Sequence, residues 1–114
     1  MEQNRYIPVY HGGVIKAGDA VLAQKGYEAP SFAYVMWFEP ARAGHRFGCS
    51  CCTARGPVAY ALAALFRARA TGEAPFFQRV VVLADAAGWA DVQATLAEDT
   101  LTRARFKLAT DPPI

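Results

Sequence analysis

Apolar side chains recur along this chain with two different spacings, and each change of spacing marks a boundary between elements. Tyr6-Ile7-Pro8-Val9-Tyr10-His11 is short, β-branched and aromatic, and it runs into Gly12-Gly13. It predicts a strand ending in a turn, kept short by Pro8. After Gly18, the run Asp19-Ala20-Val21-Leu22-Ala23-Gln24-Lys25 has helical composition, with Asp19 as a first-turn acid and Gly26 as a stop, and predicts a two-turn helix. Ser31 through Phe38 is apolar on both alternating faces, the pattern of a strand covered on both sides, with Met36 and Trp37 in the core; Glu39-Pro40 ends it.

Positions 41–48 have no periodicity and form a loop. Gly56-Pro57 opens a helix, because proline suits the first helical position. Val58, Leu62, Leu65 and Phe66 then make an apolar stripe that continues to Arg69 and stops at Gly72. Arg79-Val80-Val81-Val82-Leu83-Ala84 is a continuous β-branched run and predicts a central parallel strand. Asp91 to Glu98 predicts a short last helix, Leu101–Leu108 follows no clear period, and Pro112-Pro113 lies in the tail.

Strands alternating with helices imply βαβ units, hence an α/β fold with a parallel sheet, right-handed crossovers and helical layers around it. The 114 residues form a single small three-layer domain on this reading. Ligands in such sheets gather at the carboxyl ends of the strands. Those ends are the loop Gly12–Gly18, the loop after Phe38, and Asp85–Asp91. Three or so parallel strands leave exposed edges, which predicts a homo-oligomer or docking onto another protein.

Composition narrows the function classes. An apolar fraction of 54% with 19% charged residues belongs to a soluble globular chain, and no apolar run approaches the roughly 18 residues of a membrane span. The net charge of +2 hides no basic patch: residues 1–57 carry six basic and four acidic side chains, residues 58–114 six of each. Nucleic acid and membrane are not expected partners. All three cysteines, Cys49, Cys51 and Cys52, fall within four positions, and three thiols cannot pair completely within one chain, which points to a reducing, cytoplasmic location.

That cluster is the main candidate for chemistry. Three soft donors suit zinc, or Cu(I), if the loop turns sharply between Cys51 and Cys52. A tetrahedral site needs a fourth ligand, and His45 lies four residues before Cys49; His11, at the end of the first strand, has a weaker claim. Arg42, Arg46 and Arg55 bracket the thiols, and cationic neighbours favour the thiolate. The alternatives are packed structural thiols in an interaction module and a redox site, the latter lacking C-x-x-C spacing.

A second candidate is Gly13-Val14-Ile15-Lys16-Ala17-Gly18-Asp19-Ala20, which keeps both glycines of a G-x-x-x-x-G-K-[ST] phosphate loop. Asp19 replaces its lysine and Ala20 its hydroxyl residue, so the loop repels a triphosphate. Gly13, Lys16 and Gly18 remain as vestigial anion-binding positions at an expected helix N-terminus, with Asp85 the acid available to a magnesium ion if nucleotide binding survives.

Gly48-Cys49-Ser50-Cys51-Cys52-Thr53-Ala54-Arg55-Gly56, followed by an amphipathic helix and Phe76-Phe77-Gln78-Arg79-Val80-Val81-Val82, resembles the CobW-type metallochaperone GTPases. In that family a G-C-x-C-C-T-x-R segment precedes a helix and a strand of the type D-R-V-V-I-E-T-T-G. Asp85-Ala86-Ala87-Gly88 stands in place of E-T-T-G, and Trp89-Ala90-Asp91 matches the L-A-D that follows. The resemblance spans about Pro8 to Leu108 and is strong from Gly48 to Asp91. It implies a truncated, P-loop NTPase-like fold in which Cys49, Cys51 and Cys52 bind a transition metal such as zinc or cobalt, for delivery to a receiving protein. The chain lacks the family's guanine-reading N-K-x-D motif and its C-terminal domain, which implies no GTPase activity, and no reaction is assigned.

Overall fold

The computed structural model describes residues 6–39 and 56–109. In chain order they form β1 (Ile7–His11), β2 (Ala20–Gln24), β3 (Tyr34–Phe38), α1 (Pro57–Thr71), β4 (Val80–Leu83), α2 (Ala86–Glu98), α3 (Thr100–Arg105) and β5 (Phe106–Leu108). The strands make one sheet in the order β3-β2-β4-β1-β5, and every neighbouring pair is parallel. The α/β class and the all-parallel sheet therefore stand as expected, with five strands instead of about three.

The helix expected over Asp19–Lys25 is strand β2. Four of its five residues, Ala20, Val21, Leu22 and Ala23, are fully buried, and it is laddered on one side to β3 and on the other to β4, with Val21 opposite both Val35 and Val81. A two-turn helix gains little by itself. An apolar stretch this short has no period that separates a buried helix from an interior strand, and pairing on both sides decides for the strand. The last elements also differ: α2 begins at Ala86, five residues before the expected start, and the stretch 100–108 is a one-and-a-half-turn helix running directly into β5.

The connections sort onto two faces. The α1 crossover carries the chain from β3 to β4, and the α2–α3 crossover carries it from β4 to β5; both step the same way across the sheet, so right-handedness places all three helices on one face. The helices accordingly touch one another. The steps from β1 to β2 and from β2 to β3 run the opposite way, and residues 12–19 and 25–33, which make them, contain no helix. The third layer is thus irregular chain, beneath which Val21, Ala23 and Val81 still have no exposed surface.

The core lies between the sheet and the helices, where Ile7, Val9, Leu22, Val80, Val82 and Phe106 meet Leu62, Leu65, Val92 and Leu96. α1 follows the predicted stripe: Pro57 occupies its first turn, Val58, Leu62 and Leu65 are buried, and Gly72 closes it in the left-handed region at φ 84°. Phe66 packs edge-on to Phe106, ring centres 6.2 Å apart. β3, by contrast, is an edge strand and not a strand covered on both sides: Met36 packs on the core, whereas Trp37 is 45% exposed.

Candidate functional site at the carboxyl edge of the sheet

Parallel pairing brings His11, Gln24, Phe38 and Leu83, the last residues of β1 to β4, to one edge. α2 starts there, immediately after β4. So does α1: Pro57 and Tyr60 from its first turn line an open cleft of about 470 Å³ together with Lys25, Phe38 and Glu39. Cys49, Cys51, Cys52 and His45 lie outside the described residues. Their segment, 40–55, leaves from the end of β3 at Glu39 and returns at Gly56, the N-cap of α1, so both of its anchors are on the carboxyl edge, although after the third strand and not the second.

The first turn of α1 contributes no negative charge of its own. Gly56 makes no side-chain capping bond, and no acid occupies the first turn. Its first amides and the helix dipole therefore present positive potential to whatever precedes them, an environment that favours anions such as thiolates.

α2 begins in the opposite way. Asp85 is its N-cap, and its Oδ1 accepts from the Gly88 N–H at 2.9 Å. Gln24 Nε2 donates to Asp85 Oδ2 at 3.2 Å, while the Asp85 N–H donates to Gln24 Oε1 at 3.1 Å. The Gly88 amide first, and Gln24 next, hold the Asp85 carboxyl below the usual carboxylate range. Both of its oxygens serve as the cap and the clamp onto β2, which is a different role from the magnesium ligand the sequence offered.

His11 closes β1 beside this clamp. Its Nε2 lies 3.0 Å from the Ala84 carbonyl oxygen, and its ring stacks on Trp89 with centroids 4.4 Å apart and planes 12° from parallel. A carbonyl can only accept, so Nε2 carries the hydrogen and, in the neutral ring, Nδ1 carries the lone pair.

The expected phosphate-binding positions do not gather into a cradle. The Gly12 N–H donates to Val82 O near the carboxyl ends, whereas the Ala20 N–H donates to Arg79 O just before β4, so the loop between them crosses the sheet from one edge to the other. It leads into β2, and Gly13, Lys16 and Gly18 have no helix N-terminus behind them. The Lys16 N–H is bonded to Asp19 Oδ2 at 2.8 Å. Arg79 donates to Asp19 from Nε at 3.0 Å and Nη2 at 2.8 Å, and to the Val14 carbonyl as well. Asp19 is buried, which by itself raises its pKa, but the Arg79 hydrogen bonds, the Lys16 amide and both cationic charges outweigh burial and leave it lowered. The acid standing where a lysine was expected therefore pins the loop to the amino edge.

Sequence reasoning placed Arg79 only as the head of a strand and gave Gln24 and Trp89 no role at this edge. Each acts through a partner more than fifty residues away, which no local spacing reveals. Among the described residues, no group of three or more His, Cys, Asp or Glu side chains could hold a metal by itself, and no helix is long and apolar enough to cross a membrane. No protein-family model, no curated protein and no solved structure matches this chain, so its residues and their geometry carry the functional reading alone.

Proposed function

We propose that this is a cytoplasmic metal-binding protein, a degenerate relative of the CobW-type metallochaperones without GTPase activity, in which Cys49, Cys51 and Cys52 hold zinc or a similar transition metal. The observation that carries the reading is the anchoring of the Cys-x-Cys-Cys segment at the carboxyl edge of an all-parallel sheet, directly ahead of an uncapped, acid-free helix start. Ligands favour that edge in parallel sheets, and the helix start favours thiolates over thiols.

A neutral imidazole completes a tetrahedral set of three thiolates, and the chain has two histidines for it, His45 and His11. An ion held this way serves delivery to a receiving protein if exchange is fast. The outer edge of β3, which pairs with no further strand among the described residues and whose sequence Tyr-Val-Met-Trp-Phe has no charge or proline, supports self-association. Equilibrium sedimentation of the full chain checks that part, a monomer throughout the micromolar range being the adverse result.

Elemental analysis of protein purified without a metal-affinity tag tests the central reading. Close to one zinc or similar ion per chain, lost in Cys51→Ser, is expected. Fewer than about 0.2 ions per chain, unchanged in Cys51→Ser and after incubation with zinc, overturns it.

A further inference from the structure

We propose that an open cleft at the β5 side of the sheet binds a small organic acid, a single carboxylate carried on an apolar body. The proposal is independent of the metal-binding reading. The cleft has a volume of about 310 Å³, at the small end of ligand pockets, which run from about 300 to 1,000 Å³. It lies where α2 and α3 meet the outer strand β5, with Tyr6, the residue before β1, beside it, and no residue of the carboxyl-edge site lines it.

Leu96 and Phe106, both buried, give the cleft an apolar floor together with Ala97. The Phe66 ring packs edge-on to Phe106, so the floor is held by the core. Two cations share the cleft, Arg103 and Lys107, and among the described residues no acid lines it. Lys107 Nζ stands 5.8 Å from the centre of the Tyr6 ring. A lysine on an edge strand blunts that strand against pairing, and this role accounts for Lys107 taken alone. It does not account for Arg103, which belongs to α3. Arg69, Arg79 and Arg105 each have a partner within the fold: the Phe77 carbonyl, the Asp19 carboxylate and the Phe66 ring. No partner of that kind engages the Arg103 guanidinium among the described residues. Asp99, four residues earlier, accepts from the Thr102 N–H at 3.0 Å and the Thr102 hydroxyl at 2.7 Å.

A guanidinium fork takes a carboxylate or a phosphate through two parallel hydrogen bonds, and a neighbouring ammonium adds a second charge. The helix ends decide between the two anions. Leu96 and Ala97 belong to the last turn of α2, where the carbonyl end of the helix dipole places negative potential. The amide of Thr102, in the first turn of α3, is already held by Asp99. A phosphate monoester therefore meets a field that opposes its extra charge and finds no row of amides to offset it. A single carboxylate is matched by the fork, and the apolar floor covers the rest of the ligand.

The test is an amide-resolved NMR titration of the full chain with hexanoate, hexan-1-ol and inorganic phosphate. Hexanoate is expected to give saturable shifts concentrated at Ala97, Arg103 and Lys107, with hexan-1-ol and phosphate binding at least about tenfold more weakly. Arg103→Gln, which keeps a polar side chain but removes the charge and the fork, is expected to weaken hexanoate binding at least about tenfold. Ala97→Phe, which fills the cleft and leaves both charges in place, is expected to abolish it. Thermal unfolding establishes that each variant folds, and Ala97→Leu replaces Ala97→Phe if the latter does not. Hexanoate shifts that do not saturate or are scattered over the chain overturn the proposal. So does hexanol or phosphate binding as tightly as hexanoate, or an Arg103→Gln affinity within about twofold of the parent.

Discussion

Gly88 sits where the clamp between β2 and α2 leaves no space for a side chain. A Cβ there would collide with Gln24 Oε1 and stand 3.0 Å from the Ala84 Cβ. Alanine is otherwise the better helix residue, so two effects of opposite sign meet at one position. Gly88→Ala is expected to be neutral or destabilising in the parent and stabilising in a Gln24→Ala background, with a coupling of about 1 kcal/mol from urea unfolding of the four chains. Additive effects would show that Gln24 yields freely.

The Asp19–Arg79 pair has side chains only 10% and 16% exposed. Arg79→Ala strands a buried carboxylate and is expected to cost about 3 kcal/mol. The pair also sets an acid limit. Because the folded pKa of Asp19 lies below its ordinary value of 3.8, its contribution is complete above that value and is lost as pH falls through the lower, folded one. Asp19→Asn is therefore expected to be less stable at neutral pH and to show a shallower loss of stability below pH 4; parallel acid unfolding curves for the two proteins would contradict this assignment.

At the scale of elements, α1 was the most legible part of the chain. A long amphipathic segment bracketed by Pro57 and Gly72 leaves one interpretation, and its buried stripe contains the predicted positions 58, 62 and 65. Leu65, with no exposed surface, meets the sheet, so Leu65→Ala is expected to cost about 3 kcal/mol; Gly72→Ala, at φ 84°, is expected to cost about 1 kcal/mol. Chemical denaturation of both variants checks the order, and reversal of the two magnitudes would place the core elsewhere. β4 was equally readable from its run of valines. β2 was not, since Ala-Val-Leu-Ala-Gln is compatible with helix and strand alike, and the neighbour that makes it an interior strand, β4, comes from a distant part of the chain, with Val80 opposite Ala20. α2 was read five residues short because Asp85, its cap, was taken for the chemical end of a strand.

At the scale of the whole molecule, metal and fold are linked if the proposed site is correct. An ion that binds only the folded chain adds about 4 kcal/mol at a thousandfold excess over its dissociation constant. Removing it with a strong chelator is expected to lower the melting temperature by several degrees or more, and adding zinc back is expected to restore it, in the parent but not in Cys51→Ser. Equal melting temperatures with and without chelator would indicate that the cysteines contribute nothing to the folded state through a metal.

What the sequence determined by itself is local: strands β1, β3 and β4, helix α1 with both its ends, and the concentration of thiols in one short segment. Hydrophobic periodicity and the backbone preferences of proline and glycine are properties of neighbouring residues, and they suffice for that. Only the tertiary structure decided that Ala20–Gln24 is an interior strand, that Asp19 is a loop pin held by Arg79, and that Asp85 caps a helix. The same holds for His11, whose ring is set by Ala84 and Trp89, more than seventy residues away. Burial on both faces of a strand, ion pairing across a sheet and the choice of a histidine tautomer depend on partners brought together by folding, and no spacing along the chain encodes them.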